Sequence, residues 1–295
     1  MRIPSRGAAI LLMIVAPALW STGGVVTRHL QQAGAFEQVF WRSFFAFAFV
    51  LVFLVLQREH PWKAIRAAGL PGLACSFLWA TMFTAYVVAL SLTSTANTLV
   101  IIGVSPLITA VLARLTLADP VPVRTWIAIP AAAAGIAWMF SDGVAADHVA
   151  GMLVAALIPL AGAINVVTLR GASARFDLVP SVMLGAALSC VVALPFAVPF
   201  TASARDLVLL ALLGVFQLGL PCILLVIASR TLLAPELALL GLLEVVLGPL
   251  WAWLGAGETP GAATLTGGAV VIAALAANEL AGIIRPQASV TRISG

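Results

Sequence analysis

The feature that most constrains this chain is an internal repeat, at an offset of about 140 residues, within a sequence that is almost entirely apolar. Phe-Glu-Gln-Val at 36–39 returns as Phe-Asp-Leu-Val at 176–179, and Val-Val-Thr at 25–27 returns at 166–168. Gly-Val-Ser-Pro-Leu at 103–107 is echoed by Val-Leu-Gly-Pro-Leu at 246–250. The repeat predicts two copies of one membrane unit, over residues 1–142 and 143–295.

Composition sets the class of fold, because 62% of the residues are hydrophobic and only 9% are charged. A lipid bilayer contains about 30 Å of hydrocarbon, which a helix of about 20 mostly apolar residues can cross. The chain is therefore predicted to be an all-α membrane protein of ten transmembrane helices in a lipid bilayer. The predicted spans are 7–29, 36–57, 68–90, 94–117, 122–140, 148–170, 178–199, 205–228, 233–254 and 261–284.

Basic residues predict the orientation, because Lys and Arg near span ends favour the cytoplasmic side. With the N-terminus inside, only Arg28 and Arg205 fall on outer segments. The basic residues that then fall on cytoplasmic segments are Arg2, Arg6, Arg58, Lys63, Arg66, Arg114, Arg124, Arg170, Arg175, Arg230, Arg285 and Arg292. Both termini are expected to be cytoplasmic. The net charge of +4 then reflects topology, and no nucleic-acid partner is expected.

Five spans in each half is an odd number, so the second copy must cross the membrane in the opposite direction to the first. The two five-helix repeats are therefore predicted to be inverted. Inverted repeats allow alternating access, because two similar halves can exchange conformations around a site at the bilayer midplane. A duplication without mechanistic consequence is the alternative.

Two charged residues lie inside predicted spans, where an unpaired charge costs at least ~2.5 kcal/mol on insertion scales. Glu244 lies near the middle of the ninth span and is interpreted as a site for a substrate ammonium group or a proton. A hydrogen-bonded packing carboxyl is the alternative. Arg42 lies about two turns into the second span, where it could bind a carboxylate, pair with Glu244, or extend to the interface.

Three amide side chains also lie within spans: Asn97, Asn165 and Gln217. Amides in a membrane often form hydrogen bonds between helices. Substrate contact and interhelical bonding both remain open for each of them.

Aromatic residues indicate a second part of the site. Trp79, Phe83 and Tyr86 share one helical face of the third span, and Trp20 lies deep in the first. An aromatic cavity would favour flat apolar substrates and cations, whereas packing or lipid contact is the alternative. The remaining tryptophans considered, interpreted as interfacial anchors, are Trp62, Trp126, Trp251 and Trp253.

Prolines within spans predict helix breaks, because each removes a backbone donor. Pro106 and Pro249 occupy matching repeat positions and are predicted to mark paired gates. Spans five and ten carry small residues at 131–135 and 267–277, which allow close helix packing. They are interpreted as scaffold or dimer contacts, so the protein is expected to be a monomer or a homodimer.

Several chemistries are not expected from the sequence. No Gly-x-x-x-x-Gly-Lys-[Ser/Thr] loop occurs, so direct use of ATP is not predicted. His29, His60 and His148 lie at different span ends, which argues against a metal site. Cys75 and Cys190, like Cys222, are isolated in apolar segments and are expected to pack as small hydrophobes. No cofactor and no metal are predicted.

Short motifs add a family resemblance. They are Leu-Trp-Ser at 19–21, Ser-Pro at 105–106, Leu-Glu at 243–244, Gly-Pro at 248–249 and Gly-Glu at 257–258. Together with ten spans in two halves, they resemble the drug/metabolite transporter superfamily and its EamA-type ten-helix exporters. The run at 243–251 is similar to the YddG-like amino-acid exporters. Ala-Asp at 118–119 departs from the Gly-Glu pair that the family often carries. The resemblance implies efflux of small metabolites, often amino acids, across a bacterial inner membrane.

We therefore expect a secondary transporter and not an enzyme. Its expected substrates are small organic metabolites, foremost hydrophobic or aromatic amino acids, moved outward either passively or with protons through Glu244. Export of drugs or organic cations is the alternative substrate class. Alternatives of other classes are a membrane-embedded enzyme acting on a lipid-linked substrate, and a channel or non-transporting partner. An enzyme would need a second acid, a nucleophile or a metal cluster, and a channel would need a continuous polar stripe.

Overall fold

The computed structural model describes residues 3–57, 60–93, 95–117, 121–141, 149–256 and 261–284, which form helices and connecting turns without any β-strand. Eight helical stretches within these ranges are long and apolar enough to cross a bilayer. Two shorter apolar helices, Val123–Met139 and Ala262–Asn278, stand where the fifth and tenth spans are predicted. The all-α, multi-span membrane fold is thereby confirmed.

Some sequence predictions concern residues outside the described ranges. They are the repeat boundary between 142 and 143, the pairs at 118–119 and 257–258, His148, and the basic residues Arg2, Arg58, Arg285 and Arg292.

The described residues contain fourteen α-helices and one π-helical segment. In chain order these are α1 (Arg6–Trp20), α2 (Gly23–Thr27), α3 (Ala35–Leu56), α4 (Pro61–Leu92), α5 (Thr95–Ile102), α6 (Ser105–Thr116), α7 (Val123–Met139), α8 (Val149–Ala172), α9 (Val179–Ala197), α10 (Ala204–Leu212), the π-helical segment (Leu213–Gly219), α11 (Leu220–Ala228), α12 (Ala234–Gly241), α13 (Leu243–Ala256) and α14 (Ala262–Ile284).

Helix breaks divide both the fourth and the ninth span. The fourth span breaks at Gly103 and Val104, directly before Pro106, so that α6 begins at Ser105. The ninth span breaks at Leu242, seven residues before Pro249, which lies inside α13. A proline accounts for the first break because it cannot donate to the preceding turn. The second break was expected at Pro249, and its position is corrected to Leu242.

The third span is longer than predicted because α4 begins at Pro61 and not at 68. Gly69 interrupts it with a φ of 60°, a left-handed conformation that side-chain-bearing residues rarely adopt. The first eight residues of α4 therefore form a separate segment, ahead of the Gly69 kink and the span proper.

The core is a bundle in which helices of the first half pack mainly on helices of the second. α1 packs on α11, α12 and α13, while α8 packs on α4, α5 and α6. α3 packs on the π-helical segment, α4 packs on α9, and α3 and α9 pack on each other. α7 and α14 pair closely: a Cβ atom at Gly135 would lie only 2.9 Å from the carbonyl oxygen of Gly267. The small residues of spans five and ten thus serve packing within the chain.

The outer surface of the bundle is apolar. Side chains such as Leu70, Leu115 and Phe77 are well over half exposed on membrane-spanning helices. An apolar surface of this extent would be unfavourable in water, whereas lipid chains solvate it.

At the end of the bundle where α1 begins, called here the N-terminal face, three charged side chains meet. Both terminal nitrogens of the Arg6 guanidinium donate to Glu236, at 2.8 and 3.1 Å, and Arg124 Nη2 lies 3.8 Å from the same carboxylate. Arg6, Arg124 and Glu236 are the N-terminal ion cluster. Because they lie on α1, α7 and α12, the cluster joins both halves of the chain. Arg230 and Asp177 add an ion pair of 3.1 Å at this face.

The opposite face is held together by two buried carboxylates bonded mainly to backbone. Glu37 accepts from the backbone N–H groups of Thr201 and Ala202, at 2.8 to 3.0 Å. Asp206 accepts from the N–H groups of Gln31 and Gln32, at 2.9 and 3.1 Å. These two acids are satisfied within loops and helix ends, and neither lines the central cavity.

Candidate functional site

A central cavity of about 160 Å³ lies between the two halves. α1, α3, α4, α5, α6 and α8 contribute to its wall, as do the π-helical segment, α11, α12 and α13. The lining residues are Met13, Trp20, Arg42, Trp79, Met82, Phe83, Tyr86, Ile102, Ser105, Ile158, Pro159, Gly162, Asn165, Val166, Gln217, Leu218, Cys222, Leu225, Leu237, Ala238, Gly241, Leu242 and Glu244. A water molecule needs about 10–15 Å³ of such space, so the cavity has room for roughly ten waters or one small organic molecule.

One wall of the cavity is aromatic. Trp79, Phe83 and Tyr86 project from one face of α4, as their spacing predicts, and the Trp79 and Phe83 ring centroids lie 5.5 Å apart. Trp20, the last residue of α1, joins the same cavity from the other side. Aromatic pairs at this separation stabilise each other and leave ring faces available to a flat ligand.

The cavity holds one basic and one acidic side chain. Arg42 is 3% exposed, and its Nη2 donates to the Phe83 carbonyl oxygen at 2.9 Å. Its guanidinium carbon lies 6.0 Å from the Tyr86 ring centroid, within the range of a cation–π contact. Glu244 lines the same cavity from α13. Among the described residues, Arg42 and Glu244 are not in ion-pair contact, so each can interact with a ligand.

The break at Leu242 explains why a carboxylate can reside in this apolar span. Because α13 starts at Leu243, Glu244 lies in the first turn of a new helix. The N-terminal end of a helix carries partial positive charge, which stabilises an acidic group there. At the other break, α6 starts at Ser105, and both helix starts contribute a side chain to the cavity wall.

Gln217 enters the cavity from the π-helical segment. Its Nε2 lies 3.4 Å from the Trp20 carbonyl oxygen, while its Oε1 has no hydrogen-bond partner among the described residues. Gly214 allows the segment to lie directly against α3, since a Cβ atom there would lie 2.5 Å from the Arg42 carbonyl oxygen. Short π-helical insertions often occur at functional sites. Nothing in the sequence analysis predicted this one, although two glycines, Gly214 and Gly219, mark its ends.

Asn165 is fully buried on α8 and lines the cavity. Neither its Nδ2 nor its Oδ1 has a hydrogen-bond partner in the described part of the chain. The same holds for Arg42 Nε and Trp79 Nε1. Buried polar atoms are nearly always paired in native proteins, so unpaired atoms on four cavity residues point to water or a ligand as their partner.

The structure therefore brings eight of the sequence-predicted site residues to one cavity: Trp20, Arg42, Trp79, Phe83, Tyr86, Asn165, Gln217 and Glu244. Asn97 is not among the lining residues; it is buried and its Nδ2 donates to Thr93 Oγ1 at 2.9 Å. The position of an amide along a span does not determine which way its side chain points, and that of Asn97 turns toward Thr93 at the end of α4. Pro106 and Pro249 are not lining residues either.

Other differences from the sequence predictions concern residues near the site. Trp251, expected at the membrane interface, is half-buried and its indole N–H donates to Ser21 Oγ at 2.7 Å. Met82 and Gly162 line the cavity without having been predicted. Both residues are apolar, and in a chain that is mostly apolar nothing in the sequence distinguishes them as cavity residues. Among the described residues, no three His, Cys, Asp or Glu side chains lie close enough together to hold a metal ion.

Helices pack differently at the two ends of the cavity. At the N-terminal face, α12 packs against α6, α7 and α8 below the cavity. α6 and α12 belong to the fourth and ninth spans. The other helices of these two spans, α5 and α13, have no comparable packing on each other among the described residues. The two broken spans are thus in closer contact with each other at the N-terminal face than at the opposite face, where Glu37 and Asp206 join the halves instead.

These features define a multi-span helical membrane protein with a central cavity between its halves. Residues 7–141 match the EamA-like transporter family, so this part of the chain is similar to the members of that family. The matched family is one of transporters.

A solved crystal structure that is 18% identical in sequence aligns with 94% of this chain and 99% of its own, with a TM-score of 0.82. At this identity the likeness establishes the fold alone. No curated protein matches the chain.

Proposed function

We propose that this protein is a secondary transporter that exports small organic metabolites, foremost hydrophobic and aromatic amino acids, by alternating access of two inverted repeats. The observation that carries the proposal is the presence of Arg42 and Glu244, not paired with each other, in one aromatic-walled cavity.

The charges suit a zwitterion. An α-carboxylate can accept from the Arg42 guanidinium, whose Nε has no partner among the described residues, and Glu244 can accept from an ammonium group. Charge-assisted hydrogen bonds of this kind are about twice as strong as neutral ones. A ligand with one positive and one negative group therefore compensates both buried side chains at once, whereas a singly charged ligand leaves one of them unmatched.

The aromatic wall suits the rest of such a ligand. Trp79 and Phe83 form an apolar surface of two neighbouring rings, tilted by 31° to each other, in the cavity that holds the charged pair. An engineered apolar cavity of about 150 Å³ binds benzene, so a cavity of about 160 Å³ suits one ring-bearing small molecule.

The packing of helices supports an internal two-fold relation between residues 1–142 and 143–295. If the halves are exchanged, α1 corresponds to α8, α3 to α9, and α4 to the span made of α10, the π-helical segment and α11. The contact of α1 with α11 then corresponds to that of α8 with α4, and the contact of α3 with the π-helical segment to that of α9 with α4. The contacts of α3 with α9 and of α7 with α14 are converted into themselves. Such exchange symmetry is what inverted repeats produce.

Departures from this symmetry support alternating access. The tight packing of α12 on α6 has no counterpart between α13 and α5 in the described chain, and the N-terminal ion cluster joins α1 to α12 at that face. We infer that the cavity is closed toward the N-terminal face and opens toward the other. With both termini cytoplasmic in a bacterial inner membrane, as the basic residues predict, this is the outward-facing state. Transport is either passive or coupled to protons through Glu244.

Counterflow exchange in proteoliposomes tests the proposal. Labelled phenylalanine, tyrosine, tryptophan and leucine should exchange, and Arg42→Gln should raise their half-saturation concentrations about ten-fold or more, because the loss of a charged hydrogen bond costs about 1.5–3 kcal/mol. Arg66→Gln is the matched control, since Arg66 lies outside the cavity over the Trp62 ring. Absence of amino-acid exchange would contradict the proposal.

Export of organic cations is the second candidate, which Glu244 and the aromatic wall favour. The two candidates differ in the role of Arg42, because its charge attracts an amino acid through the carboxylate but repels a cation. If tetraphenylphosphonium exchanges and Arg42→Gln raises its affinity, the cation exporter is supported instead.

A further inference from the structure

Trp79 and Asn165 lie at the same level of the cavity. α4 and α8 are antiparallel, with Gly151 beside Leu92 and a Cβ position at Gly162 only 3.5 Å from Met82 Cε. Asn165 follows Gly162 by three residues on α8, and Trp79 precedes Met82 by three residues on α4. Because the helices are antiparallel, Asn165 and Trp79 therefore lie at the same level. Both side chains line the cavity, and they define what is called here the deep subsite.

The deep subsite lies apart from the charged pair. Glu244 is in the first turn of α13 and Arg42 is on α3, whereas the deep subsite is made by α4 and α8. Asn165 lies in the part of α8 nearer the N-terminal face, where Arg170 donates to the carbonyl oxygen of Arg230. A ligand that enters from the opposite face therefore reaches the deep subsite last.

The polar atoms of the deep subsite have no protein partner among the described residues. They comprise two donors, Trp79 Nε1 and Asn165 Nδ2, and one acceptor, Asn165 Oδ1. Trp79 is 1% exposed and Asn165 is 0% exposed, so bulk solvent does not solvate these atoms. Leaving a buried donor or acceptor unpaired costs about 1–3 kcal/mol. The deep subsite is thus suited to a ligand group that both donates and accepts.

We infer that the transported amino acid inserts a ring that carries its own hydrogen-bonding group, a phenol hydroxyl or a ring N–H, into the deep subsite. This inference rests on the proposed function, since Arg42 and Glu244 are assigned to the α-carboxylate and the ammonium group. The aromatic faces of Trp79 and Phe83 hold the ring, and the unpaired atoms of Trp79 and Asn165 bind its polar group.

Selectivity follows from what a plain phenyl ring would do there. It fits the same space but displaces water and leaves three buried polar atoms unpaired. Sites built to bind a substrate hydroxyl or N–H reject the analogue without it far more strongly than apolar pockets discriminate methylene groups. Tyrosine and tryptophan are therefore preferred over phenylalanine, and aliphatic amino acids bind more weakly still.

The decisive measurement uses the unmodified full-length protein in proteoliposomes. Half-saturation concentrations for L-tyrosine and L-phenylalanine are compared by competition against labelled L-tryptophan. We expect L-tyrosine to compete at a concentration about ten-fold or more below that of L-phenylalanine. Equal concentrations for the two would overturn the inference while leaving amino-acid export standing. If no amino acid competes or exchanges, the proposed function itself fails and the inference fails with it.

Variants test the assignment to Asn165. Asn165→Leu keeps the shape but removes both hydrogen-bonding atoms, so it should raise the half-saturation concentration for L-tyrosine about ten-fold and leave that for L-phenylalanine unchanged or lower. Trp79→Phe should reduce the tyrosine preference in the same direction. Asn278→Leu is the control, because Asn278 is equally buried but is bonded to Thr125 outside the cavity. An equal loss for both substrates in Asn165→Leu would indicate a structural role and overturn the assignment.

Discussion

At the scale of single residues, two groups of buried polar side chains differ in their hydrogen bonding. Glu37 and Asp206 are buried, yet each accepts several backbone hydrogen bonds. Each thereby joins two segments that are distant in the sequence. Arg42, Asn165 and Gln217 are equally buried, but each has at least one atom without a partner in the described chain. Pairing, and not burial alone, therefore distinguishes Glu37 and Asp206 from these three cavity residues.

Glu244→Gln tests the acidic side of the site. The substitution preserves shape and removes the charge, so half-saturation concentrations for amino acids should rise about ten-fold or more if the carboxylate contacts the ammonium group. If Glu244 carries a coupled proton, exchange should persist and lose its pH dependence. Counterflow rates over a range of pH measure both effects.

Glu37→Gln is the matched acid-to-amide control, because Glu37 lies outside the cavity and binds the backbone of Thr201 and Ala202. It should lower stability without changing the pH profile. Wild-type rates, affinity and pH dependence in Glu244→Gln would leave only a packing role for Glu244.

At the scale of helices, the sequence predicts positions well where one physical requirement dominates. The bilayer requires long apolar helices, so the spans are found nearly where expected. A charge in a span requires compensation, which identifies Glu244, and a shared helical face identifies Trp79, Phe83 and Tyr86.

Other features depend on contacts between distant parts of the chain, which no local pattern contains. Asn97 and Asn165 are both amides within spans, yet only Asn165 faces the cavity. Three further features also depend on such distant contacts: the break at Leu242, the π-helical segment around Gln217 and the pairing of Arg6 with Glu236. Each is decided by tertiary packing and not by the composition of its own helix.

Gly214→Ala tests whether the π-helical segment positions the site. A Cβ atom there would lie 2.5 Å from the Arg42 carbonyl oxygen and 2.6 Å from Phe45 Cβ, so the segment must move away from α3. We expect the melting temperature in detergent to fall by roughly 5 °C and amino-acid affinity to fall because Gln217 and Arg42 separate.

Gly248→Ala provides the matched control. Gly248 is also helical, but a Cβ atom there would have no atom within 4 Å, and replacing a helical glycine by alanine typically stabilises by about 0.5–1 kcal/mol. This variant should retain or raise the melting temperature. Equal behaviour of the two glycine variants would argue against close packing at Gly214.

At the scale of the whole molecule, the proposed opening of the cavity toward one face rests on contacts at its two ends. The N-terminal ion cluster and the packing of α12 on α6 hold the halves together at one face. The opposite face has loop-fixing acids but no such packing between α5 and α13 in the described chain. In an alternating-access cycle the N-terminal contacts must break when the cavity opens to the other side, so they set the relative population of the two states.

Cysteine accessibility tests this asymmetry together with the orientation. In a background without Cys75, Cys190 and Cys222, Ser105→Cys lies in the cavity wall. An impermeant thiol reagent should label it from the face opposite the N-terminus and not from the N-terminal face. Reference cysteines at the exposed positions Gln31 and Lys63, on opposite faces, identify which side of the membrane each reagent samples. Gly143 and Gly257 extend the same test beyond the described residues.

Adding Glu236→Gln to Ser105→Cys should weaken the N-terminal ion cluster, because Arg6 and Arg124 both lose their anionic partner. The inward-open state should then become more populated, so labelling from the N-terminal face should rise while labelling from the opposite face falls. Asp177→Asn removes an acid at the same face that pairs with Arg230 and not with the cluster, and it should shift labelling less. If Ser105→Cys reacts only from the side of Lys63, or if Glu236→Gln leaves both rates unchanged, the ion cluster does not hold this face closed.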